Sequence, residues 1–197
     1  IYVSFLFLGL LLPSVILYLI NLLDTKIKGK QDFLDLNIGG VPIAEIPIIP
    51  SSDSQVFTKP FERSVLAESF RILTSNLLYL IDNKEKSGSV ILTTSSIKGE
   101  GKTFCAINSA LSLASLDKKV LLLGLDLRNP QLHKYFDVEK STDGISNYLV
   151  NSSLDWRKLI IEGFHEIKNL HTIISGPIPP NPVQILSNNN LEKLLVE

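Results

Sequence analysis

The chain has 197 residues, 45% of them hydrophobic, and its 19 Lys and Arg against 20 Asp and Glu leave a net charge of −1. That length suits one domain plus further segments, and the charge balance argues against a nucleic-acid partner held by bulk electrostatics. The single cysteine, Cys105, excludes an internal disulfide, and His133, His165 and His171 lack metal-ligand spacing.

The absence of methionine and the apolar start at Ile1 read as a piece of a longer protein. Residues 1–23, IYVSFLFLGLLLPSVILYLINLL, carry no charge. A helix of that length spans ~30 Å of hydrocarbon, and Gly9 and Pro13 are tolerated in such a helix. Lys26, Lys28 and Lys30 follow, opposed only by Asp24. The positive-inside rule then places everything after Leu23 in the cytoplasm. A signal peptide would need a basic start and a small-residue cleavage site, and neither is present.

Residues 24–58 read as a juxtamembrane linker, punctuated by Gly29, Gly39, Gly40, Pro42, Pro47 and Pro50. A folded domain over 59–197 follows. Its first element is a helix over 60–81, where Val65, Leu66, Phe70, Leu73, Leu77 and Leu78 fall on one face. A polar turn over 82–88 leads to a strand over 89–94 and then a glycine-containing loop. A helix over 102–115 comes next. The run Lys118 to Leu125 has the continuous apolar character of a buried parallel strand. Residues 128–141 are irregular. Residues 145–150 and 156–162 are short helical candidates, and 170–174 is a further strand. The loop Gly176-Pro177-Ile178-Pro179-Pro180-Asn181-Pro182 precedes helices over 183–187 and 191–196. Strands alternating with helices predict an α/β fold with a mostly parallel sheet flanked by helices.

The stretch Thr93 to Thr103, TTSSIKGEGKT, carries the chemistry. A strand, a glycine loop and a helix in that order form the context of a phosphate-binding P-loop. Gly99 and Gly101 lack a Cβ, so the backbone can curl and bring its N–H groups to an anion. The helix starting near Lys102 aims its positive dipole end at the same place. Lys102 supplies a cation for the β- and γ-phosphates of ATP, and the Thr103 hydroxyl suits Mg²⁺, a hard ion that prefers oxygen. Candidate nucleotide contacts are Ser96, Lys98, Gly99, Glu100, Gly101, Lys102, Thr103 and Phe104. Ser96 stands where the motif usually opens with glycine.

A second cluster follows the strand at 118–125. In a parallel sheet ligands gather at the carboxyl ends of strands, so Asp126 arrives at the edge that holds the loop. Its carboxylate can hold Mg²⁺ or accept a proton from a hydroxyl nucleophile. Arg128 can pair with it or reach a phosphate.

Together these segments resemble the cytoplasmic end of the bacterial tyrosine autokinases, or BY-kinases, of the polysaccharide co-polymerase family. The apolar segment 1–23 corresponds to a second transmembrane helix. Glu68-Ser69-Phe70-Arg71 precedes the Walker A stretch 94–103, the Walker A′ region follows as Val120 to Arg128, and the loop 176–182 is typical of the family. The resemblance implies a deviant-Walker P-loop fold and transfer of the ATP γ-phosphate to tyrosine. It further implies a bacterial inner-membrane location with the nucleotide domain in the cytoplasm, and a role in capsular or extracellular polysaccharide synthesis and export. It implies the export machinery and other copies of the chain as partners, with Glu68 and Arg71 matching two positions of a ring-contact motif. Lys102 and Asp126 are its catalytic candidates, Thr103 and Asp126 its metal ligands. Three departures stand out. Gly124 replaces the first Asp of Asp-x-Asp-x-Arg, Thr74 replaces the last Arg of Glu-x-x-Arg-x-x-Arg, and the Walker B strand and tyrosine cluster would lie beyond Glu197.

Two other readings compete. One is a nucleotide-sensing scaffold with slow or absent transfer that governs oligomerisation of a chain-length regulator, which Gly124 favours. The other is a partitioning-type ATPase. The membrane span disfavours it, as does Ile97, which stands where such ATPases carry a signature lysine.

Overall fold

A computed structural model of the chain describes residues 2–24, 26–50, 54–81 and 88–196, without the side chains of residues 3, 4 and 8. The chain divides into two compact units, Ile1–Glu45 and Ile46–Glu197.

The first unit contains helix α1, Tyr2–Leu23, and a short helix α2, Lys30–Asp35, that the linker reading did not anticipate. Within α1, Phe5–Leu23 is long and apolar enough to cross a membrane. Lys28 pairs with Asp24 at 2.9 Å just beyond its end. Glu45 accepts the Lys30 N–H at 2.6 Å, which ties the start of α2 to the end of this unit.

The second unit is built on a three-stranded sheet of order β1-β3-β2, with β1 at Val120–Leu123, β2 at Ile161–Phe164 and β3 at Ile167–Ile173. β1 runs parallel to β3 with Val120 opposite Leu170, and β2 runs antiparallel to it with Phe164 opposite Ile167. The sheet is therefore mixed. Helix α3, Val65–Leu80, is capped by Ser64, whose hydroxyl accepts the Ala67 N–H at 3.2 Å. Helix α4, Lys102–Ser115, packs on α3, β1 and β3. Further on come α5 at Ile145–Val150, α6 at Pro182–Leu186 and α7 at Asn189–Val196.

Alternation along β3 sends side chains to two cores. Leu170 joins Phe57, Leu66, Phe70, Ile107 and Leu111 under α3 and α4. Ile173 joins Leu127, Ile145, Leu149, Ile185 and Leu194 under α5, α6 and α7. Residues on either side of 51–53 join the first core. Phe57 is buried in it, Ile46, Ile49 and Val56 pack on its edge, and Asn108 Nδ2 donates to Gln55 O at 2.9 Å.

Two expectations are corrected. Residues 89–94 form no strand, and Val90, Ile91 and Leu92 are 71%, 45% and 79% exposed. An apolar run becomes a strand only beside another strand that takes its backbone hydrogen bonds, and among the described residues none lies next to it. Residues 156–162 are not one helix. A 3₁₀ turn, Trp156–Leu159, runs into β2, which pairs with β3 through a two-residue turn at His165 and Glu166. The polar turn expected over 82–88 lies mostly outside the described residues.

Candidate nucleotide site

Helix and strand directions bring the two motifs to one edge. α4 ends at Ser115 and a short turn leads straight into β1, so the two run in opposite directions. The helix rises ~21 Å over its length and the strand ~13 Å. The Lys102 end of α4 and the carboxyl end of β1, from which Asp126 follows, thus face the same way along the fold.

The loop is curled by its glycines. Gly99 has φ +94° and Gly101 φ +92°, a region that side-chain-bearing residues avoid, and a Cβ at either would meet only open space. The obstacle to substitution is backbone conformation, not crowding, as in a cradle left open for a ligand. Gly101 is the N-cap of α4, so the N–H groups of its first turn have no intrahelical partner. Lys102 and Thr103 are half-buried, while Ser96, Lys98, Gly99 and Glu100 are exposed. Phe104 turns its ring against α3, edge-on to Phe70 at 5.6 Å. Its backbone N–H stays in the first turn of α4.

The cleft beside the loop has a volume of about 260 Å³. Ile46 to Ile49 and Gln55 line one side of it, and Glu100, Gly101, Phe104 and Cys105 the other. Cys105 is half-buried, and burial pushes its thiol pKa up, so it is a poor nucleophile here.

Asp126 sits on a self-braced turn. Its Oδ1 accepts the Asn129 N–H at 2.9 Å, and the Gln131 side chain donates to Asn129 Oδ1 at 3.1 Å and to Pro130 O at 2.9 Å. The second carboxylate oxygen takes no part in that turn. Arg128 is exposed, and no Asp126–Arg128 ion pair forms among the described residues.

Gly124 is buried where β1 meets the strand end of β3. Its N–H donates to Ile173 O at 2.9 Å. A Cβ there would stand 2.7 Å from Ser175 N and 2.8 Å from Ser175 Oγ. Position 124 thus lacks a carboxylate and also lacks room for one. The loop beyond is equally tight. Ser146 N donates to Ser175 O at 3.0 Å and Ser146 Oγ to Pro177 O at 2.8 Å, and a Cβ on Gly144 would stand 2.4 Å from Gly176 N. Sequence reasoning did not connect Ser175 and Gly144 to the site. A glycine in place of an acid, two residues before Asp126, was the available signal.

Glu68 and Arg71, the candidate ring contacts, engage each other at 2.6 Å, and Arg71 also donates to Pro60 O and Glu62 O. Thr74 is fully buried and bonded to Ser112 Oγ at 2.8 Å. No group of three or more acids, histidines or cysteines able to hold a metal occurs among the described residues.

A glycine-curled loop opening a helix, in a chain that also carries a carboxylate just past the end of a parallel sheet strand, has the pattern of a P-loop-type nucleotide domain. Comparison with known proteins narrows the class. No family model matches the chain. The tyrosine-protein kinase YwqD of Bacillus subtilis strain 168 is 35% identical over 136 residues, which is 68% of this chain and 54% of that protein. A Klebsiella pneumoniae protein, described provisionally as a tyrosine-protein kinase in the cps region, is 29% identical over 96% of this chain and 27% of its own length. The kinase domain of the Escherichia coli tyrosine kinase ETK superimposes with a TM-score of 0.59 at 28% identity, covering 66% of this chain and 49% of that one. The chain's homologues are bacterial tyrosine-protein kinases, and it carries the α/β fold of their kinase domain. It spans about half the length of YwqD and about a quarter of the Klebsiella protein. Kinase relatives imply the use of ATP.

Proposed function

We propose that the chain is the nucleotide-binding part of a membrane-anchored protein-tyrosine autokinase that transfers the γ-phosphate of ATP to tyrosine and regulates capsular or extracellular polysaccharide synthesis and export. The observation that carries the reading is the loop itself, with two glycines at positive φ leading into a helix that opens with Lys102 and Thr103. The kinase relatives, one of them described by its cps region, support the activity and the setting. On this reading residues 1–23 are the transmembrane helix, 24–58 the juxtamembrane linker and 59–197 the kinase domain, with the domain on the cytoplasmic side of the bacterial plasma membrane.

Phosphoryl transfer asks a protein mainly for positioning and charge neutralisation. The backbone N–H groups of Gly99 to Thr103 receive the phosphates, and the Lys102 ammonium offsets their charge. Thr103 Oγ1 and the Asp126 carboxylate supply the oxygen donors that suit Mg²⁺. That ion would neutralise charge on the β- and γ-phosphates when bound. Asp126 also stands as the acceptor for the tyrosine proton. Other copies of the chain and the polysaccharide export machinery are the proposed partners, with Glu68 and Arg71 at the contact between copies.

The test uses full-length protein with labelled ATP and Mg²⁺, followed by phosphoamino-acid analysis. Phosphotyrosine in wild type, lost in Lys102→Met, is the expected result. Labelling that persists unchanged in Lys102→Met would remove Lys102 from the site. A second reading, a nucleotide-responsive scaffold with slow transfer, is favoured by Gly124, whose packing leaves the site one carboxylate short. ATP binding without any phosphotyrosine would select it.

A further inference from the structure

Residues 96–100 are exposed, so no core holds the loop in its curl. What holds it is local. The Ser95 hydroxyl donates to Ile97 O at 3.0 Å, and Glu100 Oε2 accepts the Ile97 N–H at 3.1 Å. Both polar groups of the Ile97 residue are thus braced by side chains of the loop itself. The Ile97 side chain is 68% exposed and contributes no anchor. Gly99, at φ +94°, lies inside the span that Glu100 closes. A glycine at that position loses more conformational freedom than any other residue when it is fixed. The carboxylate staple is therefore the contact on which the curl depends.

We propose that Glu100 is a positioning residue: by taking the Ile97 N–H it holds loop 97–100 in the form that presents the following backbone amides to a phosphate. The proposal rests on the nucleotide reading above. It gives the Glu100 carboxylate a role toward its own chain, in place of the nucleotide contact expected from the sequence, and it makes a prediction of unusual sign. A carboxylate beside a triphosphate repels it, so electrostatics alone says that removing Glu100 tightens ATP binding. The staple says the reverse.

Calorimetric titration of the full chain with ATP and Mg²⁺ separates the two, using wild type, Glu100→Ala and Glu100→Gln. The glutamine keeps an oxygen that can accept the Ile97 N–H but carries no charge. Glu100→Ala is expected to bind roughly three- to ten-fold more weakly, the equivalent of one hydrogen bond of ordinary net strength. Glu100→Gln is expected to match wild type or bind more tightly. Amide exchange at Ile97 in nucleotide-free protein should quicken in Glu100→Ala and stay slow in Glu100→Gln. Equal or tighter binding by Glu100→Ala, or unchanged exchange at Ile97, overturns the proposal. A wild type that takes no ATP overturns the nucleotide reading itself, whereas normal ATP binding by Glu100→Ala overturns only the assignment of Glu100.

Discussion

At the scale of single residues, the proposed site turns as much on what Gly124 excludes as on what Lys102 and Asp126 would offer. The sequence comparison with the BY-kinase pattern invites a simple repair, Gly124→Asp, to restore the missing carboxylate and raise the rate. The packing argues against it. A Cβ at 124 meets the Ser175 backbone nitrogen at 2.7 Å, and the main chain of a residue whose carbonyl accepts the Ser146 N–H cannot step aside as a flexible side chain does. Gly124→Ala should therefore lower stability by about 1–3 kcal/mol, the usual range for overpacking. Gly124→Asp should cost more, because it also buries a charge, and it should leave autophosphorylation no higher than wild type. Urea unfolding and a phosphotyrosine blot check both statements. A stable Gly124→Asp protein with raised phosphotyrosine would show that β1 and the 174–176 segment separate easily, and that the loss of the acid alone limits the rate.

At the scale of elements, the same lesson applies to Thr74, the second departure from the family pattern. It is buried between α3 and α4, where its hydroxyl meets Ser112 Oγ at 2.8 Å and donates to Phe70 O at 2.9 Å. Thr74→Val should cost about 1 kcal/mol through loss of that link. Thr74→Arg, which would complete the ring motif, should give little soluble protein, since an unpaired guanidinium does not fit a closed helix interface. Normal folding of Thr74→Arg, judged by expression and a cooperative melt, would overturn this placement. Much of the element structure was legible in the sequence. The periodicity of Leu66, Phe70, Ile107 and Leu111 marks α3 and α4, and the unbroken run at 120–123 marks β1, because buried apolar faces leave a trace in a single chain. Pairing leaves none. Residues 89–94 have strand composition but no neighbouring strand among the described residues. β2 escaped notice because its four residues include Gly163 at φ +73° and its turn, His165-Glu166, lacks the Asn-Gly or Asp-Gly signal of a hairpin. The loop was legible for the opposite reason: its function is written in backbone freedom, and glycine records that directly.

At the scale of the whole molecule, the question is whether α1 anchors the nucleotide domain or lies on a surface. Its described side chains are exposed and its sequence carries no charge, so in water it would present a long apolar cylinder without a partner. Burial of roughly twenty such residues in hydrocarbon far outweighs any surface adhesion. Lys26, Lys28 and Lys30 beyond its end would then sit at the cytoplasmic headgroups. The second unit, by contrast, has two cores lined by residues of its own. The full chain expressed in bacteria should therefore remain in the membrane fraction through washes with high salt and alkaline carbonate. A chain lacking residues 1–23 should be soluble and bind ATP with unchanged affinity. Salt releases proteins held by charge and leaves inserted helices in place, so release of the full chain by salt would mean that the lysines, and not α1, provide the attachment. Loss of ATP binding on deletion would mean that the first unit contributes to the nucleotide site. Retention with intact binding in the shortened chain would make the anchor and the phosphate loop separable parts.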